Sequence, residues 1–254
     1  MSKRAVFIDI DGTLVDGSSP VPSSRNLAAM AAAQAAGHLI CLCTGRSLRC
    51  MQREVLSAFP YDGIVGGGGS YVSLGGQVLR NLTLPAAVLR RTAALFLAGS
   101  RPCVFEGTEE MFHIHPVFYQ QPDWLEITGE RDFDTKYAGR PVNKLTIGGV
   151  LSPEEVRCLS VDFEVIQHDH YAEALPKGCC KSEGMRILLE AAHLTPESAV
   201  ALGDSANDLG MLRFAGLGIA MGNASPEVQA AADAVTASAD DDGVAEAIYR
   251  FILG

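Results

Sequence analysis

The sequence predicts an α/β fold in which a parallel-sheet core is interrupted by a second domain of mixed strands and helices. Three observations carry that expectation. Residues 5–8, 27–36 and 38–43 read as strand, helix and strand, with a helix of ordinary crossover length, which makes a parallel βαβ unit. The same grammar returns after residue 199. Between these halves lies a stretch of different rhythm that holds most of the prolines and Trp124.

Taken in order, residues 5–8 form a short apolar run stopped by Asp9, and the helix at 27–36 is closed by Gly37. The strand at 38–43 ends at Thr44-Gly45-Arg46, just ahead of a helix running through 51–59. Gly66 to Gly69 and Ser70, then 71–74, Gly75-Gly76 and 77–79, read as a loop and a hairpin leading out of the core. Four glycines opening a helix would cradle a phosphate, but no helical pattern follows them. In the middle stretch 86–97 is helical, whereas 109–115, 143–148 and 162–167 read as strands parted by Pro, Gly and acidic turns. The chain then returns to a helix at 182–192, a strand at 199–202, a helix at 208–214, a strand at 217–220 and helices at 225–232 and 244–252. The domains so delimited are 1–82 together with 178–254, and an insertion at 83–177.

Composition narrows the partners. With 48% hydrophobic and 20% charged residues the chain has ample apolar surface for a core, which excludes global disorder. A net charge of −10 is a poor field for a polyanion, so no nucleic-acid partner is expected. The apolar stretch near the N-terminus meets Asp9 too soon for a signal peptide, and no run approaches the roughly 18 to 20 residues that cross a bilayer. A cytoplasmic protein with no membrane partner is the expectation. Its seven cysteines are odd in number and scattered without the spacing of zinc or redox pairs, so they read as small core or loop residues. No heptad appears, which leaves a monomer or a small homo-oligomer.

Three polar clusters stand at the carboxyl ends of the expected parallel strands, where open α/β sheets place their ligands. In Asp9-Ile10-Asp11-Gly12-Thr13-Leu14 two carboxylates one residue apart are costly together unless a cation or a proton neutralises one of them. Thr44-Gly45-Arg46 offers a hydroxyl and backbone N–H groups at a helix start, a small anion site, although Arg46 could equally pair with a surface acid. Gly203-Asp204-Ser205-Ala206-Asn207-Asp208 could be a plain helix cap, but a cap uses one acid and leaves the rest unexplained. Hard oxygen ligands from two strand ends suit Mg²⁺ better than zinc or copper. A magnesium-assisted phosphoryl site is the economical reading.

At these residues the chain resembles a family. The segments at Asp9, Thr44 and Asp204, with a later Lys, are similar to the signature motifs of the haloacid dehalogenase-like hydrolase superfamily. Ala220-Met221-Gly222-Asn223-Ala224, Asp233 and Asp242-Gly243-Val244 further resemble its Cof-type, sugar-phosphatase-like branch. The resemblance implies a Rossmann-like core with an inserted α+β cap domain and a Mg²⁺-dependent phosphatase of small phosphorylated metabolites. It implies Asp9 as nucleophile through an aspartyl phosphate, Asp11 as general acid and base, and Thr44, Gly45, Arg46 and Asn207 around the phosphate. Asp9, Asp11 and Asp204 would hold the metal, Asp11 by its backbone oxygen, with Asp208 behind them. Lys177 and Lys181 compete for the Lys position, and Lys181 is chosen because it stands where the next helix begins. Two departures stand out: Ser182 replaces the Gly that usually follows this Lys, and glycines at 66–69 replace the usual Asn-Gly-Ala step. A phosphomutase shares this chemistry, while receiver, dehalogenase and non-catalytic binding readings fit less well. In the cap, His113 with His115 and His168 with His170 read as surface or packed histidines, Trp124 as core, and Glu173 as a solvated acid.

Overall fold

The computed structural model describes residues 2–17, 19–51, 53–117 and 120–254. It divides into two compact units. One comprises Met1–Gly45, Met51–Arg80 and Cys180–Gly254, and the other Arg46–Cys50 and Asn81–Cys179.

The first unit begins with β1 (Ala5–Ile8), α1 (Ser24–Ala35), β2 (Leu39–Cys43), α2 (Arg53–Ala58), β3 (Gly63–Gly66), β4 (Tyr71–Leu74) and β5 (Gln77–Asn81). The second unit carries α3 (Ala86–Leu97), β6 (Cys103–Glu106), β7 (Met111–Ile114), β8 (Leu125–Glu126), β9 (Lys144–Gly148), α4 (Pro153–Leu159), β10 (Phe163–Gln167) and β11 (Tyr171–Pro176). The chain then completes the first unit with α5 (Lys181–Ala191), β12 (Ala199–Gly203), α6 (Leu209–Phe214), β13 (Leu217–Ala220), α7 (Pro226–Ala231), β14 (Ala234–Val235) and α8 (Gly243–Ile248).

In the first unit the eight strands lie in the order β14-β13-β12-β1-β2-β3-β4-β5. The pairings from β14 to β3 are parallel, and β4 returns antiparallel to β3. β1 and β12 are the first strands of two runs that wind outward in opposite directions, so the topological switch point lies between them. Both are buried along their whole length, as an apolar run with helices on both faces requires. The hairpin of β4 and β5 extends this sheet instead of merely leading out of it. Ser23 caps α1 by accepting from the Asn26 amide, which explains why that helix starts before its apolar spacing begins.

In the second unit the sheet order is β10-β11-β9-β6-β7-β8, antiparallel except for β7 with β8. Phe105, Phe112, Leu145, Ile147, Ala172 and Ala174 line one apolar cluster with Leu89 and Phe96 of α3. Trp124 is half-buried, not core. β11 and α4 are elements that apolar spacing does not reveal. α4 has a readable start nonetheless, because Ser152 and Glu155 form a reciprocal capping box with Pro153 at its first turn. Among the described residues no helix is long and apolar enough to cross a membrane.

Candidate active site

Asp9 leaves the end of β1 with its amide donating to the Leu202 carbonyl of β12 at 3.1 Å. That bond fixes it at the switch point, where it is 5% exposed. The chain then turns so tightly that the amides of Leu14 and Val15 reach back to the Ile10 carbonyl at 3.0 and 2.9 Å. Gly12 permits the turn: its φ is +76° and a Cβ there would lie 2.4 Å from Asp204 Oδ2. Asp11 is the exposed acid of this segment. Thr13, for which the sequence suggested no role, donates its hydroxyl to Asp204 Oδ1 at 3.1 Å.

From the end of β12, Asp208 gathers the next loop. Its Oδ2 accepts from the amides of Asp204 and Ser205 at 3.1 and 3.0 Å and from the Ser205 hydroxyl at 3.2 Å. Its Oδ1 accepts from Lys181 Nζ at 2.5 Å, and the side chain is fully buried. Lys181 opens α5 and also donates to Asp9 Oδ1 at 2.8 Å and Asn207 Oδ1 at 3.2 Å, whereas Lys177 is exposed. Carboxylate oxygens of Asp9, Asp204 and Asp208 lie within 4.8 Å of one another.

The glycine run accounts for how Lys181 gets there. Gly67–Gly69 make a single tight turn after β3, all with positive φ. A Cβ on Gly69 would lie 2.2 Å from the Cys180 carbonyl, and one on Gly184 would lie 2.3 Å from Val65 Cγ1. Only glycine lets the end of β3 touch the start of α5 so closely. Where the family usually has an Asn-Gly-Ala step, this turn packs β3 against α5.

Thr44 is 1% exposed; its amide donates to Val65 at 2.8 Å and its carbonyl accepts from Gly68 at 3.1 Å. The expected helix start beside it does not form, because α2 begins only at Arg53. A helix-terminus anion site at Thr44-Gly45 is therefore corrected to a strand-end hydroxyl. Arg46 falls in the second unit and donates to the Cys50 carbonyl at 3.3 Å.

The charges are unbalanced in a telling way. Burial, reinforced by the Asp208 carboxylate and opposed by Lys181, pushes the Asp9 carboxyl up to about 7. Burial and Asp208 likewise raise Asp204 to about 6. Burial works against the Lys181 ammonium, but Asp9 and Asp208 outweigh it and hold the proton on. Three clustered carboxylates against one ammonium leave an excess of negative charge, and the donor set is all oxygen. Those residues fit a hard divalent cation.

His113, His115 and His168 each contact other protein groups. His113 stays on β7 and bonds Gln120 at 2.9 Å, but His115 lies past the strand with φ +59° and turns to the Phe96 carbonyl at 3.2 Å. His168 stacks on Tyr171 with ring centroids 4.3 Å apart and contacts Glu173 Oε2 at 3.2 Å. Glu173 itself is buried, not solvated. The Asp9, Asp204 and Asp208 group is the one cluster of potential metal ligands among the described residues.

A doubly wound sheet with an acidic cluster and a lysine at its switch point defines a class of phosphoryl-handling α/β proteins. Residues 6–248 match the family model described as haloacid dehalogenase-like hydrolase, and the chain belongs to that family of enzymes. Over its whole length it is 29% identical to YkrA of Bacillus subtilis, provisionally named a phosphatase, covering 99% of that protein. It is 28% identical to a phosphoglycolate phosphatase of Methanothermobacter thermautotrophicus, with 98% of this chain and 99% of that one aligned. The structure of the subclass IIB sugar phosphatase BT4131 superimposes with a TM-score of 0.83 at 28% identity, over 98% of each chain.

Proposed function

We propose that this enzyme is a Mg²⁺-dependent phosphatase that hydrolyses a small phosphorylated metabolite, a sugar phosphate, through an aspartyl phosphate on Asp9. The observation that carries the reading is the convergence of Asp9, Lys181, Asp204 and Asp208 at the switch point. The names of the full-length relatives support the same class.

In this reading a carboxylate oxygen of Asp9 forms a bond to phosphorus as the bond from phosphorus to the leaving alcohol breaks. Asp11, exposed and able to exchange protons with water, gives its proton to the departing oxygen. It then takes one from the water that hydrolyses the aspartyl phosphate, returning Asp9 as a carboxylate. Lys181, held by Asp9 and Asp208, offsets charge on the phosphoryl oxygens. The Thr44 hydroxyl, the Gly45 amide and Asn207 hold those oxygens. Asp9, Asp204 and the Asp11 carbonyl would ligate the metal, while Asp208, saturated by Lys181 and three donors, keeps the loop rigid. When bound, Mg²⁺ supplies positive charge against the transferring group. The unit at 81–179 acts as the cap that chooses the leaving alcohol.

Phosphate release from a panel of sugar, nucleotide and cofactor phosphates, with and without chelator, tests this reading. Chelation should abolish release and Mg²⁺ restore it. Full activity in the metal-free protein, rescue by Zn²⁺ alone, or transfer of the phosphoryl group to a second sugar instead of to water would overturn it.

A further inference from the structure

Two segments singled out in the sequence lie outside the acidic cluster: Ala220-Met221-Gly222-Asn223-Ala224, at the end of β13, and Asp242-Gly243-Val244, at the start of α8. Both belong to the first unit, as does the turn that follows β1. Asn223 ties them to that turn. Its Nδ2 donates to the Gly12 carbonyl at 2.8 Å, and its Oδ1 accepts from the Ala239 amide at 2.9 Å. A carbonyl on one side and an N–H on the other call for a side chain that both donates and accepts, which an amide does and a carboxylate does not.

The loops that carry this contact are themselves fastened. The Met221 amide donates to the Gly203 carbonyl at the end of β12, and the Gly222 amide to the Ala237 carbonyl, both at 3.0 Å. Gln229 Nε2 donates to the Gly222 and Ala224 carbonyls at 3.0 and 3.1 Å. Past Ala239 the chain turns at Asp242, which has φ +59° and accepts from the Ser23 hydroxyl at 2.5 Å. A Cβ on Gly243 would lie 2.1 Å from the Ala237 carbonyl oxygen, so the two sides of this loop are in contact.

Gly12 is the reason the turn needs an outside partner. Asp204 Oδ2 stands where a Cβ would go, so the position excludes a side chain, and a glycine leaves its flanking peptides freer to rotate than any other residue does. The peptide before it is held from within the turn: the Gly12 N–H donates to the Val15 carbonyl at 2.8 Å, and because the peptide is trans the Asp11 carbonyl points the opposite way. The peptide after it has a long bond, 3.4 Å, from the Thr13 amide to the Ile10 carbonyl, and its own carbonyl is the one that Asn223 takes. Thr13 in turn holds Asp204 through its hydroxyl.

We infer that Asn223 is a positioning residue for the metal site: it holds the Gly12 peptide from outside the turn and so sets the direction of the Asp11 carbonyl and the reach of Thr13 to Asp204. The inference rests on the phosphatase reading, which gives those two groups to the metal, and adds to it a role for the segments after β13 and β14.

The test is calorimetric titration of Mg²⁺ into the full chain without substrate, beside hydrolysis of para-nitrophenyl phosphate at graded Mg²⁺. Asn223→Ala should weaken Mg²⁺ binding roughly tenfold or more, the scale on which partners of metal ligands act, and raise the Mg²⁺ concentration for half-maximal hydrolysis by the same factor. At saturating Mg²⁺ the KM for the aryl phosphate should change less than about twofold. Because Asn223 is exposed, its loss should shift thermal melting by no more than about 4 °C. Asn223→Asp keeps the bond to Ala239 but sets an acceptor against the Gly12 carbonyl; it should bind Mg²⁺ as weakly as Asn223→Ala, and it decides the matter if the alanine variant fails to fold. Gln229→Ala, which removes the bonds to Gly222 and Ala224 instead, should bind Mg²⁺ within about twofold of the parent. Parent-like Mg²⁺ binding in either Asn223 variant, or an equal loss in Gln229→Ala, would overturn the inference. A chain whose Mg²⁺ binding depends on Asn223 but which releases no phosphate would refute the phosphatase reading alone. One that binds Mg²⁺ and hydrolyses phosphate esters whatever stands at position 223 would refute this inference alone, and a parent that binds no Mg²⁺ would overturn both.

Discussion

Asp9 Oδ1 accepts from Lys181 Nζ at 2.8 Å, and Asp208 Oδ1 accepts from the same ammonium. Replacing Asp9 by Asn keeps the shape and removes the anionic oxygen that must attack phosphorus. Turnover should fall by at least about a thousandfold, the scale on which nucleophile deletions act, while circular dichroism stays that of the parent. Near-normal phosphate release from Asp9→Asn at full Mg²⁺ would rule out the aspartyl phosphate. A second residue-scale consequence concerns Glu173. Burial opposes its charge, but Lys144 and then His168 hold its carboxyl down at about 2, below the ordinary 4.5. An acid whose folded pKa is depressed contributes stability above its unfolded pKa and loses it as pH falls through the folded one. Stability should therefore drop between about pH 4.5 and pH 2, by an amount on the order of 3 kcal/mol from this group. Glu173→Gln should flatten that part of the acid denaturation curve and cost about 3 to 5 kcal/mol at neutral pH, because Lys144 is left buried beside Glu106 alone. An acid limb unchanged in urea melts of the variant would show that other groups set it.

Among the elements, the turn at Gly67–Gly69 is the most exacting. Gly69→Ala forces both a φ of +95° and a collision with the Cys180 carbonyl, so the start of α5 must move and carry Lys181 with it. The variant should lose well over 1 kcal/mol and a large part of kcat. Gly75→Ala is the control: its φ of +57° is strained for alanine, yet nothing lies within 4 Å of the added methyl. It should cost about 1 kcal/mol in thermal melts and leave kcat alone. Equal kcat in the two variants would separate the glycine turn from the site. The elements also differ in how readable they are. α3 and β13 are legible at their full extent, because one stripe or one run of apolar residues faces a core. β11 is not, since Glu173 breaks its pattern and Pro176 reads as a turn; only the partner Lys144 makes that Glu a buried strand residue. Likewise the expected strand at 109–115 stops at Ile114, where His115 adopts a left-handed conformation that side-chain pattern does not encode.

For the whole molecule, the first unit contains Asp9, Lys181, Asp204, Asp208 and a core cluster of its own that includes Phe7, Val65 and Leu188. Replacing residues 83–177 by a short polar linker should leave a folded unit that hydrolyses para-nitrophenyl phosphate slowly in the presence of Mg²⁺, with discrimination among natural phosphates lost. Circular dichroism comes first, to establish that the trimmed chain is folded. A folded, trimmed protein that kept the parent's ranking of substrates would place specificity outside the insertion.

The sequence by itself determined the α/β alternation at both ends and the acidic residues that follow its strands, because those depend on local spacing and on strands ending in charge. The choice of Lys181 over Lys177, made in the sequence from the start of a helix, acquires its contacts only in the tertiary structure: Lys181 opens α5 and reaches Asp9 and Asp208, whereas Lys177 lies exposed in the turn before it. Tertiary structure alone decided that Thr44 stands at a strand end without a helix, and that Glu106, Lys144 and Glu173 form a buried row on adjacent strands of one sheet. Those are contacts between residues far apart in the chain, and their energies depend on burial and register, which no short stretch of sequence contains.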